Sequence, residues 1–69
     1  MKRNQIRSSM LLSAGYDPDN EIMELEFISG EVYQYLNVPV IHFTGFMNAV
    51  SHGEYFNQFI KDQYSFIRR

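Results

Sequence analysis

The sequence predicts an α+β fold, a three-stranded antiparallel β-meander with two carboxy-terminal helices packed on one face. Two stretches, Met10–Tyr16 and Glu21–Ile28, alternate apolar and polar side chains with the period of a strand, and each is followed by turn-forming residues. After Leu36 the spacing of apolar residues lengthens to that of a helix. A chain of 69 residues has room for a single domain, 1–69. A domain of that size hides only about 60% of the surface its unfolded chain exposes. Hydrophobic residues make up 45% and aromatic residues 16%, a composition too apolar for a disordered segment.

The first strand presents Met10, Leu12 and Ala14 on one face and ends at Asp17-Pro18-Asp19-Asn20, where each residue favours a turn. Closing that loop on Tyr16 and Glu21 sets Ala14 opposite Met23, Leu12 opposite Leu25 and Met10 opposite Phe27. The second strand carries Met23, Leu25 and Phe27 on that face and Glu24 and Glu26 on the other.

The loop before the third strand decides where Tyr33 and Tyr35 point, because a slip of one residue moves a whole strand to the other face. A two-residue Ser29-Gly30 loop turns both rings toward the glutamates; a three-residue Ile28–Gly30 loop turns them toward Leu25 and Met23. Gly in third place suits a type I turn with a G1 bulge, whereas Ser is a poor first residue for the two-residue turns, so the residues favour the core-side orientation.

Asn37-Val38-Pro39 has the chemistry of a helix start, with Asn37 available to cap the first amides. Val40, Phe43, Phe46, Met47 and Val50 follow at helical spacing. Gly45 within this run costs about 1 kcal/mol relative to Ala, which points to a close backbone approach. Ser51-His52-Gly53-Glu54 matches a capping box and starts the second helix, whose stripe is Tyr55, Phe56, Phe59 and Ile60. Tyr64, Phe66 and Ile67 suggest that the tail packs. The other sheet face would hold Leu11, Ile22, Ile28, Val32 and Leu36 among Ser13, Glu24, Glu26 and Gln34, a partly apolar surface able to meet a copy of itself or another protein.

The chain has no cysteine, which excludes disulfides and thiolate chemistry and favours a cytoplasmic setting. The basic start resembles that of a signal peptide, but its apolar run ends after Met10, Leu11 and Leu12, and no stretch is long enough to span a membrane. His42 and His52 lack the spacing of a helical metal pair, Ser51 is explained by its cap, and alternating glutamates are ordinary on a solvent face. The sequence therefore predicts no enzyme activity, no cofactor and no metal. Net charge is −2, yet Lys2, Arg3, Arg7, Lys61, Arg68 and Arg69 all lie near the ends, with none between Ser8 and Ile60. Termini often sit close together, so the two basic ends could form one patch, but the commoner outcome, and the expected one, is flexible ends that carry solubilising charge, with residues 1–7 as a flexible arm.

Gly15-Tyr16-Asp17, Leu25-x-Phe27, Tyr33-x-Tyr35, Val38-Pro39, Ala49-x-Ser51-x-Gly53, Tyr55-Phe56-Asn57 and Ile60-Lys61 occur in this order between about Ser8 and Phe66. Together they resemble the KTSC domain, named after the carboxy-terminal extension of some lysyl-tRNA synthetases and found also as stand-alone small proteins. The resemblance implies a binding module for which RNA is the suggested partner. It carries over Tyr33, Tyr35, Ser51, Gly53, Tyr55, Phe56, Asn57 and Lys61 as site positions. To these the charge distribution adds Arg68 and Arg69, with Lys2 and Arg7 as further cations for phosphate. This chain departs from the family in lacking basic residues across the sheet. The competing expectation is a protein-interaction module, self-associating or binding a foreign partner through the second sheet face or an open edge strand.

Overall fold

The computed structural model describes residues 1–69, and its architecture is α+β. Five antiparallel strands, β1 (Arg3–Gln5), β2 (Leu11–Asp17), β3 (Ile22–Phe27), β4 (Val32–Tyr35) and β5 (Phe66–Arg68), follow one another across the sheet in chain order. Between β4 and β5 come α1 (Val40–Asn48) and α2 (His52–Tyr55), the latter running into a π-helical turn at Phe56–Ile60. No helix is long and apolar enough to cross a membrane.

The predicted meander of three strands is thus the centre of a sheet with one more strand at each edge. Arg3–Gln5 pairs with Gly15, Ala14 and Ser13, so the expected free arm is an edge strand. Its close approach explains Gly15, where a Cβ would meet the Lys2 carbonyl oxygen. Phe66–Arg68 pairs with Tyr35, Gln34 and Tyr33, which is how the tail packs.

The β2–β3 hairpin differs from the sequence expectation by one loop position. Asp17 pairs with Ile22, and its Oδ1 accepts from the amides of Asp19 and Asn20. Asp17 therefore ends the strand instead of opening the loop, and Ala14 faces Leu25 instead of Met23. The face is preserved because the register moves by an even number of residues. A bulge between Leu11 and Ser13 then changes the phase. Leu11 becomes a fully buried core residue opposite Phe27, and Leu12, expected inside, is 44% exposed.

The β3–β4 turn has the odd length that the residues favour. Gly30, at φ 97°, donates its amide to the Phe27 carbonyl, and Phe27 donates to Glu31. Leu25 pairs with Tyr33 and Met23 with Tyr35, so both tyrosines lie on the core side.

Asn37 does not cap α1. It adopts φ 59° in the turn leaving β4, Pro39 occupies the cap position, and no side-chain hydrogen bond closes that end. Asn tolerates this left-handed conformation, and the turn it makes lets the Val38 amide reach the Glu21 carbonyl. Val38 is buried, whereas Val40 and Val50, expected on the helical stripe, are exposed. Ser51 does cap α2, accepting from the Glu54 amide at 3.2 Å. Gly45 has a close neighbour, but it is a side chain and not the expected backbone: the Tyr55 hydroxyl and ring occupy the space a Cβ would need.

The core joins Leu11, Ala14, Met23, Leu25 and Tyr35 of the sheet to Val38, Phe46, Phe56 and Ile60. Tyr16 stacks on Phe43 with centroids 4.9 Å apart and donates its hydroxyl to the Val38 carbonyl, pinning α1 at one end of the sheet. On the opposite face, Glu24 accepts from Arg3 Nη1 and Gln34 Nε2, and Glu26 accepts from Ser13 Oγ. That face is held by a polar network, and Leu11, expected there, is absent from it.

Candidate functional site

The middle residues of β2 and β3 are buried, whereas those of β4 are mostly half-buried and those of β5 exposed. A cleft of about 330 Å³ opens there between the sheet and the π-helical turn, within the size range of small-ligand sites. Tyr33, Tyr35 and Phe66 form its sheet wall, because Tyr35 pairs with Phe66 and core-facing positions recur every second residue. Phe56, Asn57, Lys61 and Asp62 form the helical wall, with Met10 and Phe27 closing one side.

The π-helical turn contributes directly to this arrangement. Lys61 donates its amide to the Phe56 carbonyl, five residues back, and widens the turn. Phe56 and Ile60 are buried, while Asn57 and Lys61 are exposed and Asn57, Lys61 and Asp62 all border the cleft.

The aromatic packing has two parts. Phe56 meets Phe27 and Tyr35 edge-on, both at 5.5 Å, and these rings make the floor. Tyr33 and Phe66 stack at 5.1 Å with 19° between their planes. Phe66 is 51% exposed, so one wall of the cleft is an accessible ring already stacked on its other side. Burial pushes the Tyr35 hydroxyl up to about 12, with the charges of Tyr33 and Asp62 adding to the shift. Tyr35 therefore stays a neutral phenol at ordinary pH. Lys61 makes no ion pair, whereas Arg68 Nη2 lies 2.7 Å from Glu31 Oε2.

Of the residues expected at the site, Tyr33, Tyr35, Phe56, Asn57 and Lys61 meet in this cleft. Arg68 is the strand partner of Tyr33, and Arg69 donates its amide to the Val32 carbonyl at the same sheet edge. The others do not join them. Ser51 is spent on its cap, Gly53 packs against Ser8 and Met10, and Tyr55 fills the gap between Gly45, Phe46 and Phe59. Nor do the two basic ends meet in one patch, the less common of the two outcomes weighed from the sequence: β1 and β5 occupy opposite edges, and Arg3 is held by Glu24. Four strand spacings separate those edges, roughly 19 Å.

Sequence reasoning missed Met10, Phe27, Asp62 and Phe66 as cleft residues. The apolar parity of Phe27 and the aromatic tail were visible signals, but only β4–β5 pairing puts Phe66 beside Tyr33. The histidines lie elsewhere: His52 Nδ1 is 2.8 Å from the Phe46 carbonyl, and His42 packs edge-on against Tyr64. No three His, Asp or Glu side chains gather in a metal-binding group.

Comparison with known proteins gives this architecture a family. The KTSC domain profile matches residues 7–64. An uncharacterised protein of Stutzerimonas stutzeri is 45% identical over 64 residues, covering 93% of this chain and 90% of its own length. A lysine–tRNA ligase of Nostoc is 38% identical over 58 residues, 84% of this chain but 10% of the ligase. The crystal structure of a KTSC domain protein from Yersinia pestis is similar at a TM-score of 0.96 and 41% identity, covering 99% of this chain and 96% of the other. With the profile spanning most of the sequence and the similar crystal structure reproducing the whole sheet-and-helix arrangement, the chain belongs to the KTSC domain family.

Proposed function

We propose that this protein is a non-enzymatic module that binds single-stranded RNA, with a base stacked in the cleft and phosphates beside Lys61, Arg68 and Arg69. The observation that carries the reading is the half-exposed Phe66 ring, stacked on Tyr33 next to the unpaired ammonium of Lys61. Bases stack on such rings at about 1–3 kcal/mol each, and neighbouring cations hold the backbone. The similarity to a segment of lysine–tRNA ligases supports an RNA partner, and a cytoplasmic setting goes with it.

Titration of labelled short RNAs at low and then rising salt tests the reading. Binding should be tightest at low salt and weaken as counterions compete. Phe66→Ala should weaken it about five- to a hundredfold, the equivalent of one lost stack. Lys61→Ala should reduce the salt slope by about 0.7, the contribution of one phosphate contact on a single strand. Absence of binding at the lowest salt ends the proposal.

A protein partner has one observation in its favour, the open β5 edge with Ile67 46% exposed. Light scattering that finds only monomer at high protein concentration removes the self-associating version.

A further inference from the structure

A carboxylate is an unexpected neighbour for a phosphate-bearing ligand, yet Asp62 borders the cleft beside Lys61. It is exposed and makes no ion pair. Its charge is also near enough to the Tyr35 hydroxyl to oppose ionisation there. Asp62 is thus a carboxylate bordering an aromatic-walled cleft with no ion-pair partner.

We propose that the cleft selects guanine. The inference rests on the RNA-binding reading and names the base it prefers. Phe66 is half-exposed and stacks on Tyr33, and the polar residues that share the cleft with it are Asn57, Lys61 and Asp62, so a base stacked on Phe66 would have these three as hydrogen-bonding neighbours. Guanine carries two adjacent parallel donors on its Watson–Crick edge, N1–H and N2–H, which match the two oxygens of a carboxylate. Its O6, next to N1, accepts from the Asn57 amide or the Lys61 ammonium.

The other bases fit worse. Adenine offers one donor and sets the lone pair of N1 against the carboxylate. Cytosine likewise presents one donor beside the N3 lone pair. Uracil has a single N3–H between two carbonyl oxygens that repel the charge. A charge-assisted bidentate contact is both stronger and more geometrically selective than a neutral single one. Asp62 consequently repels phosphate weakly in general while rewarding one base.

The test compares short oligouridylates carrying a single central guanosine, adenosine or cytidine, titrated against the full chain and its Asp62→Asn variant at low salt. The expected result is binding of the guanosine oligomer about tenfold or more tighter than the others, the usual discrimination of a bidentate base contact. In Asp62→Asn that preference should vanish, while affinity for plain oligouridylate holds or rises. Asp62 is exposed, so the variant should fold, and its circular dichroism should match that of the parent.

Equal affinity for all oligomers overturns the guanine assignment and leaves the RNA reading standing. A guanine preference that survives in Asp62→Asn overturns it too. If no RNA binds, guanosine monophosphate is titrated directly. Asp62-dependent binding of the mononucleotide sustains the guanine site without the RNA reading, and no binding overturns both.

Discussion

Gly45→Ala sets two effects of opposite sign against each other. Replacing a helix-interior glycine removes backbone freedom from the unfolded chain and is worth about 1 kcal/mol of added stability. The new methyl group, however, would collide with the Tyr55 hydroxyl and lie 3.0 Å from Cζ and 3.3 Å from Cε2 of the same ring. Retreat of that ring would disturb its packing on Phe59, 4.8 Å away centroid to centroid, and on Phe46 at 6.2 Å. Overpacking of this kind costs about 1–3 kcal/mol, so the clash should prevail by about 1 kcal/mol. In a domain of this size the corresponding fall in Tm is roughly 4–8 °C. A double-mutant cycle by urea and thermal unfolding isolates the contact. Tyr55→Phe removes only the hydroxyl and should relieve part of the penalty. Tyr55→Leu removes the ring atoms that clash, and in that background Gly45→Ala should stabilise by about 1 kcal/mol. If Gly45→Ala raises Tm equally in the parent and in Tyr55→Leu, the ring is not the reason for the glycine.

Gly30→Ala should destabilise by about 1–2 kcal/mol in urea unfolding, because φ 97° is open to glycine and strained for other residues. For Glu24, burial raises the carboxyl, but hydrogen bonds from Gln34 and Arg3, together with the Arg3 charge, outweigh it and hold the group below its ordinary value. The ionised form is therefore favoured by folding: its contribution is fully present above about pH 4.3 and is lost as pH falls through the lower folded value. Acid unfolding of Glu24→Gln should show a weaker pH dependence in that window than the parent. Tyr35 has the opposite sign, since its raised value favours the neutral form in the folded state. Its contribution holds below pH 10 and disappears as pH climbs toward about 12, so ultraviolet titration should show late tyrosinate formation from Tyr35 and from Tyr16, which burial also raises, and Tyr35→Phe should remove the Tyr35 part.

How much was legible in the sequence follows from the range over which each feature is encoded. Ser29-Gly30 and the alternation on either side hold the parity of the tyrosines within a few residues, and Tyr35 is buried as that parity requires. The Ser51 cap is also carried by a short spacing, whereas Gly45 announced a close neighbour without revealing that it is the Tyr55 side chain of the next helix. The bulge at Leu11–Ser13 breaks local alternation, because an extra residue is accommodated only when the neighbouring strand is present. It moved Leu11 inward and Leu12 outward, against the simple pattern.

The candidate site divides in the same way. Tyr33, Tyr35, Asn57 and Lys61 carry signals of their own, through motif and residue type. Phe66 signalled only that the tail packs, because a three-residue edge strand has too little pattern to reveal its partner, and Asp62, in the turn before that strand, carried no signal. What the sequence determined by itself was the fold class, the central meander with its helices, and the face on which the two tyrosines lie, all set by periodicity and turn chemistry acting locally. Only the tertiary structure decided that the basic ends stand at opposite edges and that the tail closes beside β4. Those outcomes depend on pairings between residues more than thirty positions apart in the case of β4 and β5, where the order of strands, and no local preference, brings Phe66 onto Tyr33 and opens a cleft between them and the helical turn.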